Sequence, residues 1–226
     1  MNEIEKIEAK LYDRWQVKCQ FRGRCYGGIP KNAAMIEGWL DARARNAAAA
    51  GVKPEEIERP TVEAIQEQIG AENAETEERA WTTFKLCGGS AYLDCYNVKA
   101  MLREAAFALG ITAKKFAGGR GFRQHYQHGV HVKPQEIMLG TIAGYEEFTG
   151  HIKGPKGQVA ILRRMDYVEG VKFDFEVWST ATGILSHDML GQMLAKAQEI
   201  GLGANRSREA SKFDVLEFEQ TATGKI

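Results

Sequence analysis

The segment RWQVKCQFR, residues 14–22, alternates without a break between apolar and polar side chains. Strict alternation is typical of a β-strand with one buried face, because successive side chains of a strand point to opposite faces. Arg14, Lys18 and Arg22 share the predicted polar face with two glutamines, and this face carries no acidic side chain. The strand therefore predicts a sheet that is buried on one side and basic on the other, which would suit a polyanion.

Two helices and three further strands complete the predicted fold. Apolar residues at helical spacing predict one helix within 90–110 and another within 186–203. Within residues 158–179, a Glu-Gly pair at 169–170 marks a turn and residues 171–178 alternate after it, which predicts a β-hairpin, and 212–220 predicts a final strand. The resulting order, β-α-β-β-α-β, predicts an α+β fold of the ferredoxin-like class, with an RRM-like palm on the sheet face that the helices leave open.

Two segments interrupt this order, and we expect both to be insertions in a single domain that spans residues 1–226. Residues 33–80 are predicted to be helical and acidic, since 51–80 alone carry nine acidic and three basic side chains. Residues 111–134 combine glycines, cations and aromatics, a composition typical of a flexible loop that contacts phosphates and stacks on bases. The first would be a lid, a partner surface or a spacer, and the second a finger or thumb loop.

A glycine-rich basic stretch, GLGANRSREASKF at 201–213, joins the second predicted helix to the last strand. Gly201 would end the helix, and Gly203 would allow a steep turn of the backbone. The donors predicted to face phosphate oxygens are Asn205, Arg206, Arg208 and Lys212.

Two blocks of the sequence resemble the RAMP superfamily of CRISPR-associated proteins, and most closely its backbone subunits, which line a guide RNA. The block YNVKAMLREAAFALG, residues 96–110, resembles a helix in which two cations precede a small-residue turn. The block GLGANRSREASKFDV, residues 201–215, resembles the C-terminal glycine-rich loop of that family. It departs from the family pattern at 209–211, where Glu, Ala and Ser replace a second glycine pair. The resemblance implies an RNA-binding ferredoxin-like fold without a cofactor.

Together, the resemblance and the basic segments predict a non-catalytic RNA-binding subunit. We expect it to oligomerise head to tail along single-stranded or guide RNA, in a cytoplasmic antiviral ribonucleoprotein with other effector subunits. The candidate RNA-binding residues are Arg14, Lys18 and Arg22 on the first strand; Lys99 and Arg103 on the first helix; Lys114, Lys115, Arg120, Phe122, Arg123 and Tyr126 in the basic loop; and Gly201, Gly203, Asn205, Arg206, Arg208 and Lys212 in the glycine-rich loop.

The sequence does not predict a membrane protein, a secreted protein or a metal-binding protein. The sequence has no apolar run of about 18 residues, so no membrane helix is predicted, and the charged N-terminus does not resemble a secretory signal. The four cysteines lack zinc or redox spacing and are expected to be small hydrophobic residues. His125, His128 and His131 recur at every third position, which on a strand would alternate faces, so no metal site is predicted.

Two alternative functions stay open. A metal-independent endoribonuclease, similar to the RNA-processing members of the superfamily, would use His125 or His128 as a general acid or base beside Arg120 or Lys115. Those members usually carry two tandem ferredoxin-like domains, whereas one set of elements is visible here. A protein-interaction module would instead bind an adaptor, CRISPR complex subunits or another copy of itself without RNA, and its acidic segment 51–80 would dock on a basic face of the next copy.

Overall fold

The computed structural model describes residues 7, 10–49, 60–70, 81–111, 121–154, 157–181, 185–206 and 210–224. The strands are β1 (Tyr12–Phe21), β2 (Arg24–Tyr26), β3 (Ile29–Pro30), β4 (Trp81–Thr83), β5 (Lys85–Cys87), β6 (Ser90–Asp94), β7 (Val130–Lys133), β8 (Glu136–Gly140), β9 (Gly144–Gly154), β10 (Gly157–Glu169), β11 (Lys172–Thr180) and β12 (Phe213–Ala222). The helices are α1 (Ala33–Ala49), α2 (Val62–Ile69), α3 (Cys95–Ala108), α4 (Phe122–Gly129) and α5 (His187–Ile200).

The chain divides into two compact units, each made of separate stretches of sequence. The first unit comprises Met1–Cys25, Leu93–Leu139 and Glu169–Ile226, and the second comprises Tyr26–Tyr92 and Gly140–Val168. Among the residues that the structure describes, no helix combines the length and the apolar character that a membrane span requires.

The first unit contains the fold class predicted from the sequence. Its sheet has the strand order β12-β1-β11-β7, and β1 pairs antiparallel with both β11 and β12. Strand β7 pairs antiparallel with β11 at the edge of this sheet. Along the chain these elements follow the order β1-α3-β7-β11-α5-β12, which is the β-α-β-β-α-β arrangement of a ferredoxin-like fold. The predicted α+β ferredoxin-like class is therefore confirmed.

The alternation in β1 separates a core face from a polar face, as its sequence pattern predicts. Trp15 and Phe21 are each 1% exposed, while Val17 and Cys19 are fully buried. Helices α3 and α5 pack on each other and bury their apolar stripes. Each large apolar side chain removed from water contributes about 1.5–3 kcal/mol, so this core holds the polar face of the sheet in a fixed register.

The hairpin predicted over 158–179 is wrong in its pairing. Both strands form, but β11 pairs with β1 and β7 in the first unit, whereas β10 pairs with β9 in the second unit. The second strand of the ferredoxin-like order is β7 instead. Gly170 has a φ of 62°, so the turn forms where it was predicted. Turn residues and alternation indicate strands, but they do not specify which strand is the partner.

The segment 111–134, predicted to be a basic loop, contains regular structure. Helix α4 and strand β7 occupy 122–133, and residues 112–120 lie outside the described part of the chain. Phe122 and Tyr126 are each 1% exposed and stack with ring centroids 5.4 Å apart. These two aromatic residues therefore pack in the core as the apolar face of helix α4.

The second unit is built on strands β3, β4, β9 and β10. Strand β10 pairs parallel with β4 and antiparallel with β9, and β3 pairs antiparallel with β4. Helices α1 and α2 lie within the segment predicted to be helical, 33–80, and share an apolar cluster of Ile36, Leu40, Ile65 and Ile69. Most of the acidic stretch 51–80 lies outside the described residues.

Candidate nucleic-acid interface

The polar face of β1 does not present the purely basic surface that its sequence predicted. In the strand register, Lys18 lies opposite Asp174 on β11 and Glu217 on β12. Lys18 Nζ is 2.6 Å from Glu217 Oε2, and the hydrogen bond and charge of Glu217 raise the pKa of Lys18. Gln16 Nε2 donates to Asp174 Oδ2 at 3.0 Å. Acidic side chains from the neighbouring strands therefore neutralise the middle of the palm.

Arg22 and Lys212 are also paired with carboxylates. Arg22 donates to Asp214 at 2.8 Å and to Glu199 at 2.9 Å, and Lys212 Nζ lies 3.3 Å from Glu199. The hydrogen bond to Asp214 is the main reason that the pKa of Arg22 is raised, and the bond from Arg22 is the main reason that the pKa of Glu199 is lowered. Exposed ion pairs contribute little to stability, but these leave less positive charge for a phosphate.

The glycine-rich loop has the backbone conformation that its sequence predicts. Arg206, its arginine within the described residues, forms an ion pair with a carboxylate. Helix α5 ends at Gly201, and the φ angles of Gly201 and Gly203 are 82° and 105°. Asn205 adopts a φ of 60°. Arg206 Nη1 lies 2.8 Å from Glu104 Oε2 on α3, and the two residues line an open cleft of about 560 Å³ with Gly203 and Asn205.

Four other cations collect near the β7 edge of the sheet: Arg14, Lys99, Arg103 and Lys133. Within the described residues, none of the four forms an ion pair with a carboxylate. Arg14 and Lys133 lie 3.7 Å and 3.6 Å from the ring centroid of Trp178, and Lys99 Nζ donates to the Gln127 carbonyl at 2.9 Å. We call these four residues, together with His131, the basic edge.

Burial is the main cause of two lowered pKa values within the basic edge, and neighbouring positive charges add to both. Burial lowers the pKa of Lys99, and the charge of Arg103 lowers it further, against an opposing effect of Cys95. Burial also lowers the pKa of His131, and the charges of Lys99 and Lys133 add to this effect. Mutual repulsion of this kind is relieved when an anion binds, so the basic edge is a candidate site for phosphate groups.

Aromatic rings border the basic edge on the polar face of the sheet. Trp178 lies opposite Arg14 on β1 and opposite His131 on β7 in the strand register. The Tyr12 ring centroid lies 5.8 Å from that of His131 and 5.8 Å from that of Trp178. The Trp178 indole donates to Glu176 Oε2 at 2.5 Å. Rings and cations together on the face of a ferredoxin-like sheet are a combination that can hold single-stranded RNA.

The structure brings only some of the predicted site residues together. Of the predicted cations, it brings Arg14, Lys99 and Arg103 together, and it places Arg123 on the exposed surface of α4. The buried rings of Phe122 and Tyr126 have no face open to a base. Four predicted residues lie outside the described part of the chain: Lys114, Lys115, Arg120 and Arg208.

Sequence reasoning did not select Tyr12, His131, Lys133 or Trp178 as RNA-binding residues. One signal for Trp178 was present, because this aromatic residue occupies a polar position in the alternation of β11. An aromatic side chain on the solvent-facing side of a strand is a reason to look for a ligand.

The described histidines and cysteines do not come together in a recognisable metal or catalytic site. No three side chains of His, Cys, Asp or Glu lie close enough there to hold a metal ion. His125 Nε2 is buried, and within the described structure it has no hydrogen-bond partner, which does not suit a general acid or base that must reach a substrate. Burial raises the pKa of Cys19 and Cys25 to about 12, as expected for core residues, whereas Cys87 is exposed.

Comparisons with known proteins identify a similar fold. No family model matches the sequence. No curated protein matches it either. Among solved structures, the fold is similar to that of one chain in a cryo-EM structure of the Type III-B Cmr-beta bound to cognate target RNA, with a TM-score of 0.53 and 12% sequence identity. The match covers 97% of this chain and 64% of that chain, so this protein spans less than two thirds of its length. At 12% identity, this likeness concerns the fold alone.

Proposed function

We propose that this protein is an RNA-binding subunit of a CRISPR-type effector ribonucleoprotein and that the basic edge contacts single-stranded or guide RNA. The observation that carries this proposal is the set of four cations without a carboxylate pair in the described structure, of which Arg14 and Lys133 lie against Trp178 and Lys99 acts on His131. The fold similarity to a chain from an RNA-bound structure supports the same assignment.

The distribution of charge on the sheet favours a path for the RNA along its β7 edge. Arg14, Lys99, Arg103 and Lys133 would donate to phosphate oxygens, and Tyr12 would stack on a base with little base readout. Two carboxylates, those of Asp174 and Glu217, flank Lys18 at the centre of the palm and would repel a phosphate backbone, whereas one, that of Glu176, lies opposite Lys133 beside the β7 edge and accepts a hydrogen bond from Trp178. The strand would therefore run along the β7 edge rather than across the middle of the sheet.

We further propose that the subunit is of the non-catalytic backbone type and that copies line the RNA head to tail. The resemblance of the helix and the glycine-rich loop to backbone subunits supports this role. The burial of His125 Nε2 favours it over the endoribonuclease alternative. The protein should then leave RNA uncut in the presence or absence of EDTA.

The direct test of this function is the nucleic acid that accompanies the protein from cells at moderate salt. Extraction, end-labelling and nuclease treatment should reveal a discrete RNase-sensitive ladder, because each added subunit would protect one more length of RNA. The spacing of the ladder gives the number of nucleotides per subunit. If the folded protein carries no RNA, the protein-interaction alternative is the better assignment.

RNA affinity should rise as the pH falls, and His131 should be a main cause. In the free protein, burial and the charges of Lys99 and Lys133 hold the pKa of His131 below its ordinary value, so the imidazole is neutral at pH 7. Bound phosphates would offset those charges and raise this pKa, so binding takes up a proton in acid. Fluorescence anisotropy at constant salt over a pH series measures the effect.

A matched pair of variants tests the assignment to His131. His131→Gln should lose most of the increase in affinity, whereas His187→Gln, which removes an imidazole that stacks on Phe218 instead, should keep it. An unchanged pH dependence in His131→Gln would contradict a phosphate position beside this residue.

A further inference from the structure

The second unit carries an aromatic surface that the proposed interface does not use. Trp81 on β4 and Tyr145 on β9 have ring centroids 5.3 Å apart, and Tyr145 is 52% exposed. Arg164 on β10 lies beside Trp81 in the strand register. Its guanidinium carbon is 5.3 Å from the Trp81 centroid and 5.5 Å from the Tyr145 centroid. Two rings and a planar cation therefore form one surface on a face of this sheet.

A buried ion pair fixes the orientation of the Trp81 indole. The Asp166 carboxylate accepts a hydrogen bond from Trp81 Nε1 at 2.7 Å, and its other oxygen lies 3.1 Å from Lys31 Nζ. The Lys31 ammonium also lies 3.9 Å from the centroid of the Trp81 ring. Asp166 is only 5% exposed, so this arrangement includes the free-energy cost of removing a carboxylate from water. The Trp81 ring, held in this way, needs little further ordering when a ligand binds.

The charges on this face cancel, which distinguishes it from the basic edge. Lys31 pairs with Asp166, and Arg164 Nε lies 2.7 Å from Glu147 Oε1. These four residues carry no net charge and would not attract a phosphate. A flat, uncharged and aromatic group fits such a surface, because rings stack on one another and on a guanidinium plane.

We propose that Tyr145, with Arg164 beside it and Trp81 behind it, stacks on one unpaired nucleobase of the bound RNA. This inference rests on the proposed function and adds a second contact to it. The basic edge holds phosphates, and the Tyr145 surface holds a base without reading its sequence, since every base has a π-face.

Three variants of the full chain test this site with a single-stranded RNA oligonucleotide. Tyr145→Ala should weaken binding by roughly 5- to 150-fold, the range for loss of one base–aromatic stack. Tyr145→Phe keeps the ring and should bind like the parent. Leu162→Ala removes a 48% exposed apolar side chain from the same sheet and should also bind like the parent. The slope of log affinity against log salt should not change in Tyr145→Ala, because stacking releases no counterions.

The possible outcomes separate the two proposals. If the parent binds RNA and Tyr145→Ala binds equally well, the stacking site is wrong and the proposed function stands. If the parent binds no RNA, both are wrong. If Tyr145→Ala keeps its RNA affinity but loses a co-purifying protein, the surface belongs to a protein partner and the nucleobase site is overturned. Photocrosslinking of 4-thiouridine RNA to the peptide that contains Tyr145 would support the site directly.

Discussion

Replacing Lys99, Arg103 and Lys133 together by glutamine should weaken the binding of single-stranded RNA on the order of 100- to 1,000-fold, at about 1–1.5 kcal/mol for each solvent-exposed hydrogen-bonded contact. These side chains form no ion pair with a carboxylate in the described structure, so their charge is available to phosphates. The slope of log affinity against log salt should also become shallower by about 2, since single strands release roughly 0.7 counterions for each neutralised phosphate. Titrations of a labelled oligonucleotide at several salt concentrations measure both effects.

A second triple variant provides a control with the same change in net charge. Lys18, Arg22 and Lys212 each pair with a carboxylate, and their replacement by glutamine should change RNA affinity little. Both triple variants should stay folded with a thermal unfolding midpoint close to that of the parent, because the substituted cations are exposed or only partly buried. Equal losses of affinity in the two variants would indicate a general effect of charge rather than a site at the basic edge.

Gly27→Ala should lower the free energy of unfolding by about 3 kcal/mol, the upper part of the usual range for overpacking. A Cβ at this position would lie 2.2 Å from the Thr83 carbonyl carbon and 2.6 Å from the Phe84 nitrogen. These are backbone atoms, so no side chain can move aside to make room. The Gly27 N–H also donates to the Asp166 carbonyl at 2.9 Å, which ties this segment to the sheet of the second unit. Urea denaturation followed by circular dichroism measures the loss.

Gly23→Ala is the matched control for the same substitution four positions earlier. No atom lies within 4 Å of the Cβ that it would add. Its effect on the free energy of unfolding should stay within about 0.5 kcal/mol, as for ordinary surface changes. If the two variants unfold alike, the close approach of Gly27 to Thr83 is incorrect.

The fold class could be predicted from the sequence because its strongest patterns are local. The alternation of β1 determines which of its side chains are buried, and the apolar stripes of α3 and α5 determine which faces of the helices pack. The β7 strand could not be predicted in the same way, since its four residues are too few to establish a period.

The candidate site was only partly predictable, because its electrostatics depend on contacts between distant residues. Arg22 and Asp214 are 192 positions apart, and nothing near Arg22 in the sequence indicates that this arginine is paired. The same limit applies to Lys133 and Arg14, which meet at Trp178 only after β7, β11 and β1 have aligned. A basic pattern in one strand therefore identifies cations but not their partners.

The dependence of RNA affinity on salt for the unmodified protein tests the central proposal, phosphate binding by the basic edge, most directly. With four cations on phosphates, the slope of log affinity against log salt should be about −3, so affinity should fall roughly 50-fold between about 50 and 200 mM salt. A dissociation constant that does not change over this interval, or no RNA binding at its lower end, would contradict an interface made by Arg14, Lys99, Arg103 and Lys133.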